Sequence, residues 1–219
     1  QTLRRSPLAS QPPQAPPALR ATALDVVEIE QEQPPFDWVT LTSRHIGTLV
    51  HRELERFCRA HAARKSSKAS PSLARIIVEL EEMGVPADRS RAAAERVIAA
   101  LEHTLADARG RWLLGLEQGI SNAESELALS SSMQGQIVEG IIDRTFVDRD
   151  GIRWIVDFKT STHEGGGLDL FLDQEVARYR DQLQRYAALM RAFKPTQKVK
   201  AALYFPLMRQ WREVELGGT

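Results

Sequence analysis

The sequence predicts an α/β domain in which a helical section precedes three strands, one helix and two final strands. Three observations carry that reading. Apolar residues recur at helical spacing from Ser43 to about residue 116, and after Asn122 the period changes to strict alternation. Helical spacing then returns from about Gln174 to Phe193, ahead of two short apolar runs. A chain of 219 residues can bury one sizeable core, with or without a tail.

Residues 1–35 hold Pro7, Pro12, Pro13, Pro16, Pro17, Pro34 and Pro35 among Ser, Gln and Ala. That composition suits a linker or a surface-laid tail, so ordered structure is expected from Phe36 and Trp38 onward. Leu49, Val50, Leu54 and Phe57 mark a first helix that also carries His51. Lys65–Ser70 is a polar break. Leu73, Ile76, Ile77 and Leu80 form the stripe of a second helix over Ser72–Met83, which Gly84-Val85-Pro86 stops. Asp88 is read as the cap of a third helix over about 89–108, followed by a helical turn over Trp112–Leu116. The helical part therefore spans about 43–118, and the α/β core about 122–216.

In that core, "ESELALS" and "GQIVEGIIDRTFV" alternate, and "RWIVDFK" reads as a short buried strand. Asp148-Arg149-Asp150-Gly151 is a hairpin turn signal. Gly165-Gly166-Gly167 marks a loop before the helix of about 174–193, whose apolar face carries Val176, Tyr179, Leu183, Tyr186 and Met190. "KVKAALYFP" and "QWREVEL" complete the strands. No repeat is visible.

The 42% hydrophobic and 26% charged composition is that of a soluble globular protein. No apolar run nears the roughly 20 residues of a membrane span, and Arg4 and Arg5 lead into Pro, Ser and Gln instead of a signal-peptide core. No membrane partner is expected. The lone Cys58 excludes an intrachain disulfide and a four-cysteine iron–sulfur cluster, and makes a cytoplasmic setting the default. Because residue 1 is Gln rather than Met, the chain is expected to be a segment of a longer polypeptide. Net charge is zero, but Arg178, Arg180, Arg185, Arg191, Lys194, Lys198 and Lys200 cluster late, whereas Glu124, Glu126, Glu139, Asp143, Asp148 and Asp150 give residues 121–150 an acidic excess. An acidic centre beside a basic helix suits a metal site acting on a polyanion, although solvated faces produce the same runs.

The stretch "EGIIDRTFVDRDGIRWIVDFKTS" places Asp143, Asp157 and Lys159 inside apolar strands. Asp157 and Lys159, two apart, point to one face. Antiparallel pairing through the turn would set Asp143 beside Asp157. Adjacent carboxylates repel, so one keeps its proton unless a cation lies between them. Read from the residues alone, a solvent-facing hairpin and a site for a hard divalent ion remain open at this point.

"GIIDR" followed by "VDFKTS" resembles the PD-(D/E)xK nuclease core in its RecB-like variant. "GTLVHRELERF", Gly47–Phe57, is similar to that variant's upstream helix, with His51 at its histidine. "YRDQLQRYA", Tyr179–Ala187, is similar to its downstream helix, with Gln182 and Tyr186 at its glutamine and tyrosine. Four motifs recur in order over about 45–205.

The resemblance implies a restriction-endonuclease-like fold, a mixed central sheet flanked by helices after an N-terminal helical section, as a nuclease domain over 36–219. It implies Mg²⁺, with Mn²⁺ as an alternative, held by Asp143, Asp157, His51 and the Phe158 carbonyl. Asp143, Asp157 and Lys159 would be catalytic, with Lys159 orienting water or stabilising charge on the scissile phosphate. Gln182, Tyr186, Arg178 and Arg185 would face the substrate, DNA. His163 and Glu164 follow the active strand in a loop with Gly165–Gly167, where a substrate-edge role stays open. Glu124 and Glu126 are read as alternating on an outer strand face, with Glu124 the reserve candidate. Lacking four cysteines, the chain is similar to the cluster-free type that ends a UvrD/Rep-like helicase polypeptide, as in RecB and AddA. No GxxxxGK[ST] occurs in these residues. A motor in the same polypeptide and a second helicase–nuclease subunit are then expected partners, and DNA-end exonuclease action in break repair and recombination the expected role. A free-standing repair or mobile-element nuclease is the alternative, followed by an inactive DNA-binding module.

Overall fold

The computed structural model describes residues 38–63, 71–133 and 136–217. The Pro-rich stretch over 1–35 lies outside them. Four helices come first: α1 (Trp38–Ala62), α2 (Leu73–Glu82), α3 (Ala87–Ala106) and α4 (Ala108–Leu114). Strands β1 (Ser121–Met133), β2 (Gln136–Val147) and β3 (Arg153–Phe158) follow, then α5 (Leu168–Phe193), β4 (Val199–Phe205) and β5 (Gln210–Val214).

The strands form one mixed sheet in the order β1-β2-β3-β4-β5, with β3 and β4 parallel and the other pairs antiparallel. Helix α5 is the crossover that a parallel pair requires. β3 is buried along its whole length and β4 from Ala201 on, as expected for parallel strands covered on both faces. This is the restriction-endonuclease-like arrangement.

Two apolar cores lie against the sheet. Ile46, Leu49, Val50 and Leu54 of α1 join Ile76, Leu80, Val97 and Leu101 and meet Phe146, Val156 and Phe158. Leu172, Leu183, Ala187 and Met190 of α5 meet Ile142, Ile155, Leu203 and Phe205. A buried carboxylate, Glu53, sits within the helical part and is ion-paired to Arg52, Arg56 and Arg75, which satisfies the requirement that a buried charge be partnered.

The structure corrects several expectations. Asp88 lies in the first turn of α3 and makes no cap; Pro86 holds the N-cap position. The capping acid is Asp107, which accepts from Gly110 N at 3.0 Å and from Tyr204 Oη at 2.9 Å. That fixes α4 over Ala108–Leu114, earlier than the turn expected at Trp112–Leu116. Helix α5 begins at Leu168, directly after Gly167, six residues before Gln174. Gly167 adopts φ +81°, so the glycine run ends as the N-cap of the helix.

Candidate active site

The C-terminal end of β3 is where the candidate residues meet. Paired residues of β2 and β3 run from Val147↔Arg153 to Arg144↔Val156, so Asp143 and Asp157 come next in that register. The Asp143 side chain continues what the backbone ladder stops. Its Oδ2 accepts from Phe158 N at 2.8 Å, while Lys159 N donates to Tyr204 O of β4 at 2.9 Å. Carboxyl ends of parallel strands are where α/β sheets bind their ligands.

From α1, His51 reaches the same point. Its Nε2 lies 2.9 Å from Phe158 O, and its Nδ1 lies 3.6 Å from Asp143 Oδ2. His51 thus lies against both of the other expected ligands, Asp143 and the Phe158 carbonyl. Asp157 is 3% exposed, with Oδ2 2.7 Å from Lys159 Nζ. That oxygen has no aligned hydrogen-bond donor, so the contact with Lys159 is an ion pair by distance and not a hydrogen bond by direction.

Burial, then the Asp157 charge, holds the Asp143 carboxyl well above the usual carboxylate range, against the lowering effect of the Phe158 N–H. Two adjacent carboxyls, one disfavoured in its charged form, beside an imidazole and a backbone carbonyl, are a donor set suited to a hard divalent cation. These residues fit the implied metal.

The structure places Glu126, which sequence reasoning left off, beside His51 and Asp143, and Glu124, the reserve candidate, elsewhere. Glu126 offers a carboxylate oxygen that lies, with atoms of His51 and Asp143, in a three-donor group within 4.8 Å of one another. Glu124 instead pairs across to Thr145 and lines a cavity of about 400 Å³ with Cys58, Arg59 and Arg144. Burial alternates through "ESELALS" as expected, with Glu124 and Glu126 both on the exposed side, but Glu126 adopts φ +51°. A non-glycine residue in that left-handed region costs about 1–3 kcal/mol, and such strain concentrates at functional sites. The usable signal was register. Met133 pairs with Gln136, and seven steps back along each strand set Glu126 opposite Asp143.

Helix α5 closes the other side. Gln182 Nε2 donates to Tyr186 Oη at 2.8 Å, and burial pushes the Tyr186 hydroxyl pKa up. Lys159 Nζ lies 3.6 Å from the centroid of the Tyr179 ring, a contact that the apolar-face assignment of Tyr179 did not foresee. Arg178 and Arg185 are exposed on the same helix; positions 178, 182 and 185 share one stripe. His163 stacks on Phe171 and reaches Gly166 O at 2.8 Å, a local loop contact, and Glu164 is exposed in that loop.

Gly140 on β2 explains how α5 comes so near. A Cβ there would lie 2.6 Å from Tyr186 Cε1 and 3.3 Å from Leu189 Cδ1. Gly140→Ala is therefore expected to push Tyr186 outward, cost about 1–3 kcal/mol in urea unfolding, and slow any reaction that uses the Gln182–Tyr186 pair.

A sequence model of the PD-(D/E)XK nuclease superfamily matches residues 25–215. No curated protein matches significantly. Among solved structures, SSO0001 is similar at 16% identity, with 79% of this chain and 80% of that chain covered and a TM-score of 0.35. Protein VC1899 from Vibrio cholerae is similar at 13% identity, with 74% and 52% covered and a TM-score of 0.25. Among the described residues, no helix is long and apolar enough to cross a membrane.

Proposed function

The chain belongs to the PD-(D/E)XK nuclease superfamily, and from that premise we propose that it is a divalent-metal-dependent deoxyribonuclease that hydrolyses phosphodiester bonds at the end of β3. The carrying observation is the convergence of Asp143, His51 and the Phe158 carbonyl, with Asp157 and Lys159 alongside. Asp143, Asp157, His51 and the Phe158 carbonyl would hold Mg²⁺ or Mn²⁺. Bound there, the ion supplies Lewis acidity and a nucleophilic water at neutral pH.

The protein's own groups do the remainder. Lys159, at the mouth of the carboxylate pair, presents an ammonium to the phosphate and stabilises charge that develops on its oxygens. Asp143 accepts from the Phe158 N–H and so holds the backbone at Phe158, the residue whose own carbonyl faces His51. Gln182 and Tyr186, with Arg178 and Arg185 outward on α5, form the wall along which a DNA backbone would lie. Contacts of that kind position phosphates without reading sequence.

The narrower reading is a nuclease domain coupled to a helicase motor, acting as an exonuclease on DNA ends in break repair or recombination, with a second helicase–nuclease subunit as a further partner. It rests on the order of the four motifs. A free-standing nuclease accounts for the same site. An inactive module is disfavoured because Asp143, Asp157 and Lys159 are all present.

His51→Ala tests the ligand set. Isothermal calorimetry with Mn²⁺ is expected to show binding weakened by roughly tenfold or more, since second-shell losses alone cost 10–100-fold. Unchanged affinity would return His51 to a packing role. Linear duplexes degraded faster than covalently closed circles would support end-directed action; equal rates would support an endonuclease.

A further inference from the structure

We propose that Tyr179 is a positioning residue for Lys159, its ring face holding the ammonium at the edge of the catalytic site. The catalytic meaning of this rests on the nuclease reading above; the placement itself does not.

Lys159 directly follows β3, where the chain leaves the sheet for the loop before α5. A lysine stem has four rotatable bonds, so a defined ammonium position needs partners on more than one side. Two are present: Asp157 Oδ2 at 2.7 Å and the Tyr179 ring centroid at 3.6 Å. With the carboxylate alone, lysine and acid would neutralise each other, drawing Asp157 away from the cation it is placed to bind. The ring attracts the ammonium through its quadrupole and uses none of its three N–H donors by conventional hydrogen bonding. Those donors stay available for a phosphate oxygen.

A second contact fixes the register of this pair. Ser161 Oγ donates to the buried Glu175 carboxylate at 2.9 Å. Ser161 is two residues beyond Lys159, and Glu175 is four before Tyr179. Two extended residues advance the chain about 6.6 Å. Four helical residues advance it about 6 Å. The Ser161–Glu175 and Lys159–Tyr179 contacts are therefore successive rungs between the segment leaving β3 and α5. The buried Glu175, which the hydrolytic scheme does not use, gains a role as the anchor of the first rung. Arg178 Nη1, 3.6 Å from Glu175 Oε1, holds that carboxylate from the solvent side.

The charged and titratable groups around the Lys159 ammonium are Asp157 on β3, Asp143 on β2, and Tyr179, Tyr186 and Arg178 on α5. Among them only Tyr179 presents a ring face to it within the described residues.

The test pairs Tyr179→Leu with Tyr179→Phe. In protein labelled at lysine Cε, the Lys159 signal, assigned by its loss in Lys159→Arg, should be shifted upfield by the ring in the parent. That shift should persist in Tyr179→Phe and vanish in Tyr179→Leu. With Mn²⁺ and a labelled duplex, Tyr179→Leu should lower kcat about tenfold, the scale of a desolvated cation–π contact. KM should move by less than about threefold, and Tyr179→Phe should recover most of the rate. A parent spectrum without the upfield shift, or a Leu variant as fast as the Phe variant, overturns the proposal. A parent that shows the shift yet cleaves no DNA overturns the nuclease reading and the catalytic role together, and leaves the contact standing.

Discussion

Asp157→Ala and Lys159→Ala are each expected to lower the metal-dependent cleavage rate by about a hundred- to a thousandfold, with folding intact. The scale is that of removing one preorganised group aimed at developing charge. Asp157 is expected to cost activity because its carboxylate is buried at the end of β3 beside Asp143. Its loss leaves Asp143 to hold the ion with only His51 and a carbonyl. Lys159 is expected to cost activity by another route, since it is not a ligand and metal binding should survive its removal. Neither change should unfold the chain. Asp157 makes no aligned hydrogen bond through Oδ2, and Lys159 keeps 17% side-chain exposure, so the ammonium left behind in Asp157→Ala can reach water or the Tyr179 ring. Single-turnover cleavage of end-labelled DNA, run beside far-ultraviolet circular dichroism and Mn²⁺ calorimetry, separates the two roles.

Asp143→Asn should do the opposite to stability while also removing activity. Burial and the Asp157 charge raise the Asp143 carboxyl in the folded state. A raised acid contributes stability that is fully present below its unfolded pKa and is lost as pH rises through the folded value. In metal-free solution the parent should therefore weaken as pH climbs from about 4 toward neutrality. Asn keeps an acceptor for the Phe158 N–H and carries no charge, so its stability should be flatter over that range. At neutral pH in chelator it should melt higher than the parent, on a scale where about 1 kcal/mol moves the melting temperature roughly 2–4 °C in a domain of this size. Added Mg²⁺ should raise the melting temperature of the parent by mass action and leave the variant nearly unmoved. Thermal melts across pH, with and without metal, read both effects. A variant that melts lower than the parent in chelator would show that the Asp143 charge is not strained.

The fold was legible where periodicity was strong. The α1 stripe, the α2 stripe and its stop at Gly84–Pro86, and the run of α5 toward Phe193 follow from apolar spacing, because burial of one helix face leaves that imprint. Element ends were less legible. Asp88 and Asp107 are both acids near helix starts, and only the tertiary contact of Tyr204 with Asp107 decides which one caps. The β3 strand itself was plain in "RWIVDFK", but the pairing of β3 with β4 in parallel was implied only through family resemblance. At the site, strand alternation places Asp157 and Lys159 on one face, whereas the motif order supplied His51. Glu126 escaped because alternation shows only that it shares an exposed face with Glu124, whereas the pairing of β1 with β2 decides which of the two lies opposite Asp143. Tyr179 escaped for a different reason. An aromatic residue on an apolar helix face packs its edge in the core and offers its face to a cation, and spacing alone does not distinguish the two uses.

The central claim is that this constellation cuts DNA with a divalent ion. The most direct measurement incubates the purified chain with end-labelled single- and double-stranded DNA in Mg²⁺, in Mn²⁺ and in chelator, with Lys159→Ala in parallel. The account predicts product in at least one metal, none in chelator, and none from Lys159→Ala on the same time scale. Uncut DNA in both metals, or cleavage that persists in chelator or in Lys159→Ala, would contradict it.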